Sequence, residues 1–362
     1  MTAPKIPIEN VYYLFCYAWN RFEQARTISL GGTPSPDLPN LLGRVLLHGV
    51  RSLLRRGLDR GYFTHSETLA TVRGQIDLSS SIQLQVRNVR RLQCEFDELS
   101  PDVLHNQILK ASMRRLARAA NIEPELSHDL MALARRMNDV SDIWLERSAF
   151  ARVQLNRNNA YYDLLLKVAH LAYDCLLPDA NGGDSYSFVD VLRDERKMAN
   201  VFEAFVRNFY RLEQNEFAVE PLTLAWDAEP IQLSGVGQLP GMRVDVFLRS
   251  STRRIIIDTK YYANALQSYF ETESFHSGNL YQIFSYLRNA AGLDPSFGSA
   301  EGMLLYPRAG YSLNESFLIQ GHKVTIATLD LNRPWTRVEE QLKRLLHTEE
   351  SGQPPLAERE LS

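Results

Sequence analysis

Two stretches of the chain set charged positions inside apolar patterns. Arg243-Val-Asp245-Val-Phe-Leu248 runs into a polar segment, Arg249-Ser-Ser-Thr-Arg253, and then into Arg254-Ile-Ile-Ile-Asp258-Thr-Lys260. The β-branched run Ile255–Ile257 predicts a strand buried on both faces, and the polar segment before it predicts a hairpin turn from an apolar strand that includes Asp245. Asp258 and Lys260 are two residues apart and so project from one side of their strand. Downstream, Leu280, Ile283, Phe284 and Leu287 recur at helical spacing, which predicts an amphipathic helix over residues 278–289 with those four as its core face. Gln282 and Tyr286 stand one turn apart on a different flank of it. Residues 302–307 predict a further short buried strand.

Upstream, residues 198–210 read as a strong helix. The aromatic series Tyr12, Tyr13, Phe15, Tyr17 and Trp19 fits a buried opening helix better than a base-stacking platform. Thr33-Pro-Ser-Pro36 predicts a loop and residues 38–60 a helix. Strands are expected within 68–78 around Gly74, paired with 92–96, and helices over 102–120, 123–139, 147–153 and 160–177. Pro178-Asp-Ala-Asn-Gly-Gly-Asp-Ser185 is the clearest linker. It predicts an N-terminal domain over 1–185, mostly helical with some β structure, and a second domain over 186–350. The polar residues 351–362 read as a frayed tail. The fold class is α/β (α+β overall), with a C-terminal mixed sheet flanked by helices.

Composition changes this picture little. The 362 residues are 44% hydrophobic and 23% charged, the balance of a soluble globular chain. A net charge of −3 gives no global basic field, so nucleic acid, if bound, is met in one cleft or through a partner. Arg55, Arg56, Arg90, Arg91, Arg114, Arg115 and Arg118 could form a phosphate-binding surface, but nearby acids nearly balance them, which favours ordinary exposed helix faces. Cys16, Cys94 and Cys175 have neither disulfide-framework nor zinc spacing, and read as core residues of a protein in a reducing cytoplasm. No leader or membrane-length apolar run is seen, and no G-x-x-x-x-G-K-[ST] phosphate loop, so the chain is not expected to hydrolyse nucleotides itself.

Two carboxylates and an ammonium at the end of a buried hairpin are costly unless they hold a metal or one another. Mg²⁺ takes one or two carboxylates plus substrate phosphate oxygens, which suits Asp245 and Asp258 with the Thr259 backbone carbonyl as a third ligand. Lys260 would orient or deprotonate a water or stabilise charge on a phosphate, and Gln282 and Tyr286 would fix Lys260 or hold a phosphate. Glu203 is a further possible ligand; a solvated helix position is its equal reading.

In order along the chain, the helix with Glu203, the Asp245 strand, Asp258-Thr-Lys260 and Gln282-x-x-x-Tyr286 resemble the PD-(D/E)xK nuclease fold, with the last element similar to its RecB-like branch. Ile6-Pro-Ile-Glu-Asn-Val-Tyr-Tyr-Leu-Phe-Cys-Tyr-Ala-Trp19, Arg73-Gly-Gln-Ile-Asp77, Cys94-Glu-Phe-Asp-Glu-Leu-Ser-Pro-Asp102, Asn106-Gln-Ile-Leu-Lys110, Asp258-Thr-Lys-Tyr-Tyr262 and Glu273–Gln282 extend the resemblance to the McrC family, nuclease subunits of McrBC modification-dependent restriction systems. Thr259 stands where alanine is common, and only its backbone is expected to matter. The resemblance implies a Mg²⁺-dependent endonuclease for double-stranded DNA. An McrB-like AAA+ GTPase hexameric ring would license the cut, its hydrolysis would be stimulated by the N-terminal half, and nuclease domains would pair to cut both strands. A non-catalytic activator of such a ring and a free-standing RecB-like exonuclease are the alternatives.

Overall fold

The computed structural model describes residues 6–26, 35–178, 186–188, 194–229, 231, 239–261, 277–307 and 313–347. The linker over 179–185, the Glu273–His276 part of the resemblance and the tail over 351–362 lie outside the described residues.

The chain opens with helix α1 (Ile8–Ala18) and then divides by its internal contacts into two units, residues 21–190 and residues 1–20 together with 191–362. This corrects the expected boundary: α1 belongs with the C-terminal unit. Tyr12, Phe15 and Tyr17 form core there, as read from the sequence, whereas Tyr13 and Trp19 are only partly covered. The Tyr17 ring packs 5.7 Å from Phe205 and 5.6 Å from Trp335, centroid to centroid. A helix of eleven residues cannot bury that much aromatic surface against itself.

Residues 21–190 comprise α2 (Phe22–Arg26), α3 (Leu38–Arg56), β1 (Gly61–Leu69), β2 (Gln75–Ile76), α4 (Leu78–Val86), β3 (Leu92–Ser100), α5 (Leu104–Ala117), α6 (Pro124–Arg135), α7 (Arg147–Ala151), α8 (Asp163–Cys175), β4 (Leu176–Pro178) and β5 (Tyr186–Phe188). Asp37 caps α3, accepting from the Asn40 amide at 3.0 Å, and the helix stops at Arg56, short of the expected Arg60, because Gly57 turns the chain at φ 89°. Strand β1 pairs antiparallel with β3 along its whole length, and β2 with β3's other edge. The strands expected within 68–78 are the end of β1 and the whole of β2, both paired with β3 as read from the sequence, while α4 was not anticipated. Cys16, Cys94 and Cys175 are buried.

The C-terminal unit continues with α9 (Glu195–Glu213), β6 (Ala218–Glu220), β7 (Thr223–Leu224), β8 (Met242–Arg243), β9 (Val246–Arg249), β10 (Arg254–Thr259), α10 (Ser277–Leu293), β11 (Glu301–Pro307), β12 (Asn314–Ile319), β13 (His322–Leu329) and α11 (Trp335–Leu346). Six strands form one mixed sheet in the order β12-β13-β11-β10-β9-β6, with β10, β11 and β13 parallel and antiparallel strands at both flanks. Parallel neighbours need a crossover, and α10 lies between β10 and β11 in sequence to supply it. Ile255, Ile256 and Ile257 are each 2% exposed or less, the doubly covered strand that their β-branched run predicts.

Helix α10 lies close on β11 because Gly302 has no side chain. A Cβ there would stand 2.9 Å from Ile283 Cγ1 and 2.9 Å from Leu287 Cδ1. Gly302→Val is therefore expected to lift α10 and to destabilise the unit by about 1–3 kcal/mol. A urea melt checks this: the midpoint should fall at unchanged slope, and an unaltered midpoint would show that α10 has room to spare.

Candidate active site

Asp258 is the penultimate residue of β10, on an inner strand, and only 1% exposed. It shares the strand face of Ile256, which lies in the cluster with Ile283, Tyr286 and Leu287 of α10. Desolvation pushes its carboxyl up to about 6; Lys260 opposes that rise, while the charges of Asp245 and Glu203 add to it. The Lys260 Nζ stands 2.6 Å from Asp258 Oδ2. That oxygen nevertheless has no directed hydrogen-bond donor, so the contact is ionic and off-axis. A buried carboxylate oxygen with only a lateral ammonium is short of a partner.

Asp245 is held differently from the expectation. It does not lie within a strand but in a bend between β8 and β9. Strand β8 pairs with β7 in a separate two-stranded sheet, whereas β9 belongs to the main sheet, so the chain changes sheets at Val244–Asp245. Strand β9 starts at Val246, opposite Ile257, which leaves the β10 edge beyond Ile257 to the side chain of Asp245. Its Oδ2 accepts from the Thr259 amide at 2.8 Å and from the Thr259 hydroxyl at 2.9 Å. The side chain of Thr259 therefore matters as well as its backbone, because it supplies a second donor to the carboxylate.

Lys260 lies just past the strand, yet its amide still donates to the Leu305 carbonyl at 3.0 Å, so the backbone keeps strand direction. Its Nζ donates to Gln282 Oε1 at 2.8 Å, Gln282 Nε2 donates to the Tyr286 hydroxyl at 2.7 Å, and that hydroxyl donates to the Arg243 carbonyl at 3.2 Å. This relay ties α10 to the strand ends and fixes the ammonium. It also corrects the expected helix face. Asn279, Ile283, Tyr286, Leu287 and Ala290 are the buried positions of α10, while Leu280 and Phe284 are only partly covered. The helix is rotated so that the Tyr286 ring enters the core and its hydroxyl reaches the strand ends. Burial raises the Tyr286 hydroxyl above its ordinary pKa, so it stays a donor at neutral pH.

Glu203, on α9, is not a solvated helix position, and its charge reaches Asp258. It is half-buried and held by two arginines: Arg207 one turn on, and Arg243 Nη2 at 3.2 Å. Arg207 also donates Nε to the Asp245 backbone carbonyl at 2.9 Å, pinning the bend from behind. Neither arginine was singled out from the sequence. The i, i+4 spacing of Glu203 and Arg207 was the available signal; nothing in the sequence placed either beside Asp245. Among the described residues no three or more His, Cys, Asp or Glu side chains are gathered as an ion site. Two carboxylates are what the geometry brings to the strand ends, and two suffice for a hard divalent ion that keeps water and substrate oxygens as its other ligands.

No helix among the described residues is long and apolar enough to cross a membrane. Residues 8–307 match the family of McrBC 5-methylcytosine restriction system components. Over 343 residues the chain is 30% identical to the type IV methyl-directed restriction enzyme EcoKMcrBC of Escherichia coli K12, covering 94% of this chain and 97% of that protein. Its fold is similar to a chain in the tetradecameric assembly of Thermococcus gammatolerans McrB AAA+ hexamers with bound McrC, with a TM-score of 0.63 and 18% identity over 94% of this chain and 75% of the other. The match extends on both sides of the strand ends described above and takes in α1, Asp245, Asp258, Lys260 and α10 together. The chain belongs to the McrBC family of 5-methylcytosine restriction system components.

Proposed function

We propose that this chain is the nuclease subunit of a restriction complex, a Mg²⁺-dependent endonuclease that cleaves double-stranded DNA when an AAA+ GTPase ring engages it. The observation that carries the reading is Asp258: a buried carboxylate, an oxygen without a directed donor, a second carboxylate nearby and a pinned lysine beside it. Lys260 offsets only part of the cost of burying this carboxylate, whose pKa still stands raised at about 6, and a divalent ion would offset the rest.

Asp245 and Asp258 would hold the ion. An N–H and C=O of one strand residue leave by the same edge, so the Thr259 carbonyl would join them from the edge where its amide meets Asp245. Bound there, Mg²⁺ would neutralise phosphate charge and make a water more acidic. The residues of the chain do the rest. Lys260, fixed by Gln282, places a positive charge where a scissile phosphate gains negative charge. Tyr286 and Arg243 hold Gln282 in register through the relay, and Thr259 with Arg207 fixes Asp245. One site of this kind cuts one strand, so cutting both strands calls for two nuclease units acting together. The relative's name, a methyl-directed restriction enzyme, supports modified DNA as substrate, and the McrB hexamers with bound McrC support an AAA+ ring as partner. The residues named for the Asp/Lys site all lie in the other unit, and we assign engagement and stimulation of the ring to the unit over 21–190.

Cleavage of methylated and unmethylated plasmid with Mg²⁺, with and without the ring and GTP, tests this beside Asp258→Ala. Cutting should require ring and nucleotide, favour methylated DNA and disappear in the variant. Undiminished cutting by the variant would remove Asp258 from the site. No cutting alongside faster GTP hydrolysis by the ring would make the chain an activator only.

A further inference from the structure

The nuclease reading uses Arg243 only through its backbone carbonyl and leaves the side chain without a task. Arg243 ends β8, where it pairs with the exposed Thr223 of β7. Its side chain is 73% exposed, although Met242 and Val244 on either side are buried. One contact holds it, from Nη2 to Glu203 Oε1 at 3.2 Å. Glu203 does not need that contact for neutrality. Arg207 meets the same oxygen more closely, is only 26% exposed, and places its Nε on the Asp245 carbonyl. Two arginines therefore face one carboxylate, and the surplus charge falls on the exposed one. An ion pair this open to water contributes little to stability. A guanidinium has five donors, and Nε and Nη1 of Arg243 meet no acceptor among the described residues.

Its place matters as much as its charge. The Arg243 carbonyl ends the relay from Lys260, three hydrogen bonds away through Gln282 and Tyr286. The charge of Glu203, which Arg243 touches, reaches Asp258. We propose that Arg243 grips a DNA phosphate beside the scissile one and so sets the strand in register over Asp258 and Lys260. The inference rests on the nuclease reading and adds a substrate-positioning residue to it. Arginine forks match phosphate oxygens. Glu203 presets the guanidinium by one nitrogen, which reduces the freedom lost when DNA binds. Lys260 cannot also take this role, because Asp258 and Gln282 occupy its ammonium.

Fluorescence anisotropy of a short labelled duplex with the full chain, in EDTA so that the duplex stays intact, tests the assignment across a range of salt. Arg243→Gln should weaken binding about equally for any sequence. It should also lower the slope of log Kd against log salt by about 1, the loss of one phosphate contact. Arg243→Lys, which keeps the charge, should restore most of that slope. Arg249→Gln opens an exposed pair with Glu220 at the opposite end of the β9–β10 hairpin from Asp258, and should leave the slope unchanged. Glu203→Gln should bind as well as the wild type or better, because it frees the guanidinium. The proposal is overturned if the wild type shows no saturable binding, or if Arg243→Gln keeps the wild-type slope. It is equally overturned if Glu203→Gln loses as much slope as Arg243→Gln, since Arg243 would then act only by bracing Glu203. Plasmid cleavage beside Asp258→Ala decides the nuclease reading by itself, and the salt slope decides this one.

Discussion

In metal-free buffer at pH 8, Asp258→Asn is expected to raise the melting temperature of the chain while reducing Mg²⁺-dependent cleavage by on the order of 10³-fold or more. Asparagine reproduces the shape of the protonated acid without its charge. The Asp258 carboxyl is pushed from an ordinary 3.8 up to about 6, chiefly by desolvation. An acid whose pKa is higher folded than unfolded holds its proton more tightly in the fold. The fold therefore gains stability as pH falls through the window from about 6 to 3.8, loses it as pH rises through that window, and carries the full penalty above it. That displacement corresponds to about 3 kcal/mol, or roughly 6–12 °C in the midpoint of a unit of this size. The gain from the substitution should accordingly be present at pH 8 and vanish near pH 4. Added Mg²⁺ should stabilise the wild type and not the variant. A lower metal-free midpoint at pH 8 would mean that Lys260 outweighs desolvation. Equal stabilisation of both proteins by Mg²⁺ would place the ion elsewhere.

The same residue marks how far the site could be read from the sequence. Asp258 and Lys260 were legible because the β-branched run before them fixes a strand, and a strand fixes which side chains share a face. Their partner Gln282 was legible from helical spacing. Asp245 was found for the wrong reason: the pattern makes it a strand residue, whereas its side chain reaches Thr259 because the chain leaves one sheet for another at that point. A change of sheet leaves no periodic trace. Nor did the α10 pattern reveal its rotation, since Leu280 and Phe284 look as apolar as Ile283 and Leu287, and only packing on Gly302 decides which pair is buried. Arg243 was missed because an arginine that meets a distant glutamate leaves no signature in local spacing, and the i, i+4 spacing of Glu203 and Arg207 marks that pair without revealing that Arg207 also meets the Asp245 carbonyl.

The domain boundary failed for a related reason, and it carries the largest stability effect expected here. Residues 191–362 expressed alone should not fold, whereas residues 1–20 joined by a flexible Gly/Ser linker to 191–362 should melt cooperatively. Within α1, Val11, Tyr12, Leu14, Phe15 and Tyr17 are 4% exposed or less. At about 1.5–3 kcal/mol for each large apolar side chain, these five contribute about 10 kcal/mol. A whole domain is stable by only about 5–15 kcal/mol. Polar ties add to this: Asn10 Nδ2 donates to the Leu331 and Arg333 carbonyls at 2.8 Å each, Asn208 Nδ2 to the Tyr17 carbonyl at 2.8 Å, and the Tyr17 hydroxyl to Glu213 at 2.8 Å. Without α1, Phe205, Phe209 and Trp335 lose the ring of Tyr17, the buried Asn208 amide loses its acceptors on Tyr17 and Ala18, and the Leu331 and Arg333 carbonyls lose the Asn10 donor. A linker rich in Pro, Gly and Asp is a sound sign that the chain changes unit there. It says nothing of whether an earlier segment has already been claimed by the later unit. Circular dichroism melts of the two fragments decide the matter: a cooperative transition of 191–362 alone, at the midpoint of the joined form, would return α1 to the N-terminal unit and restore the linker as the true boundary.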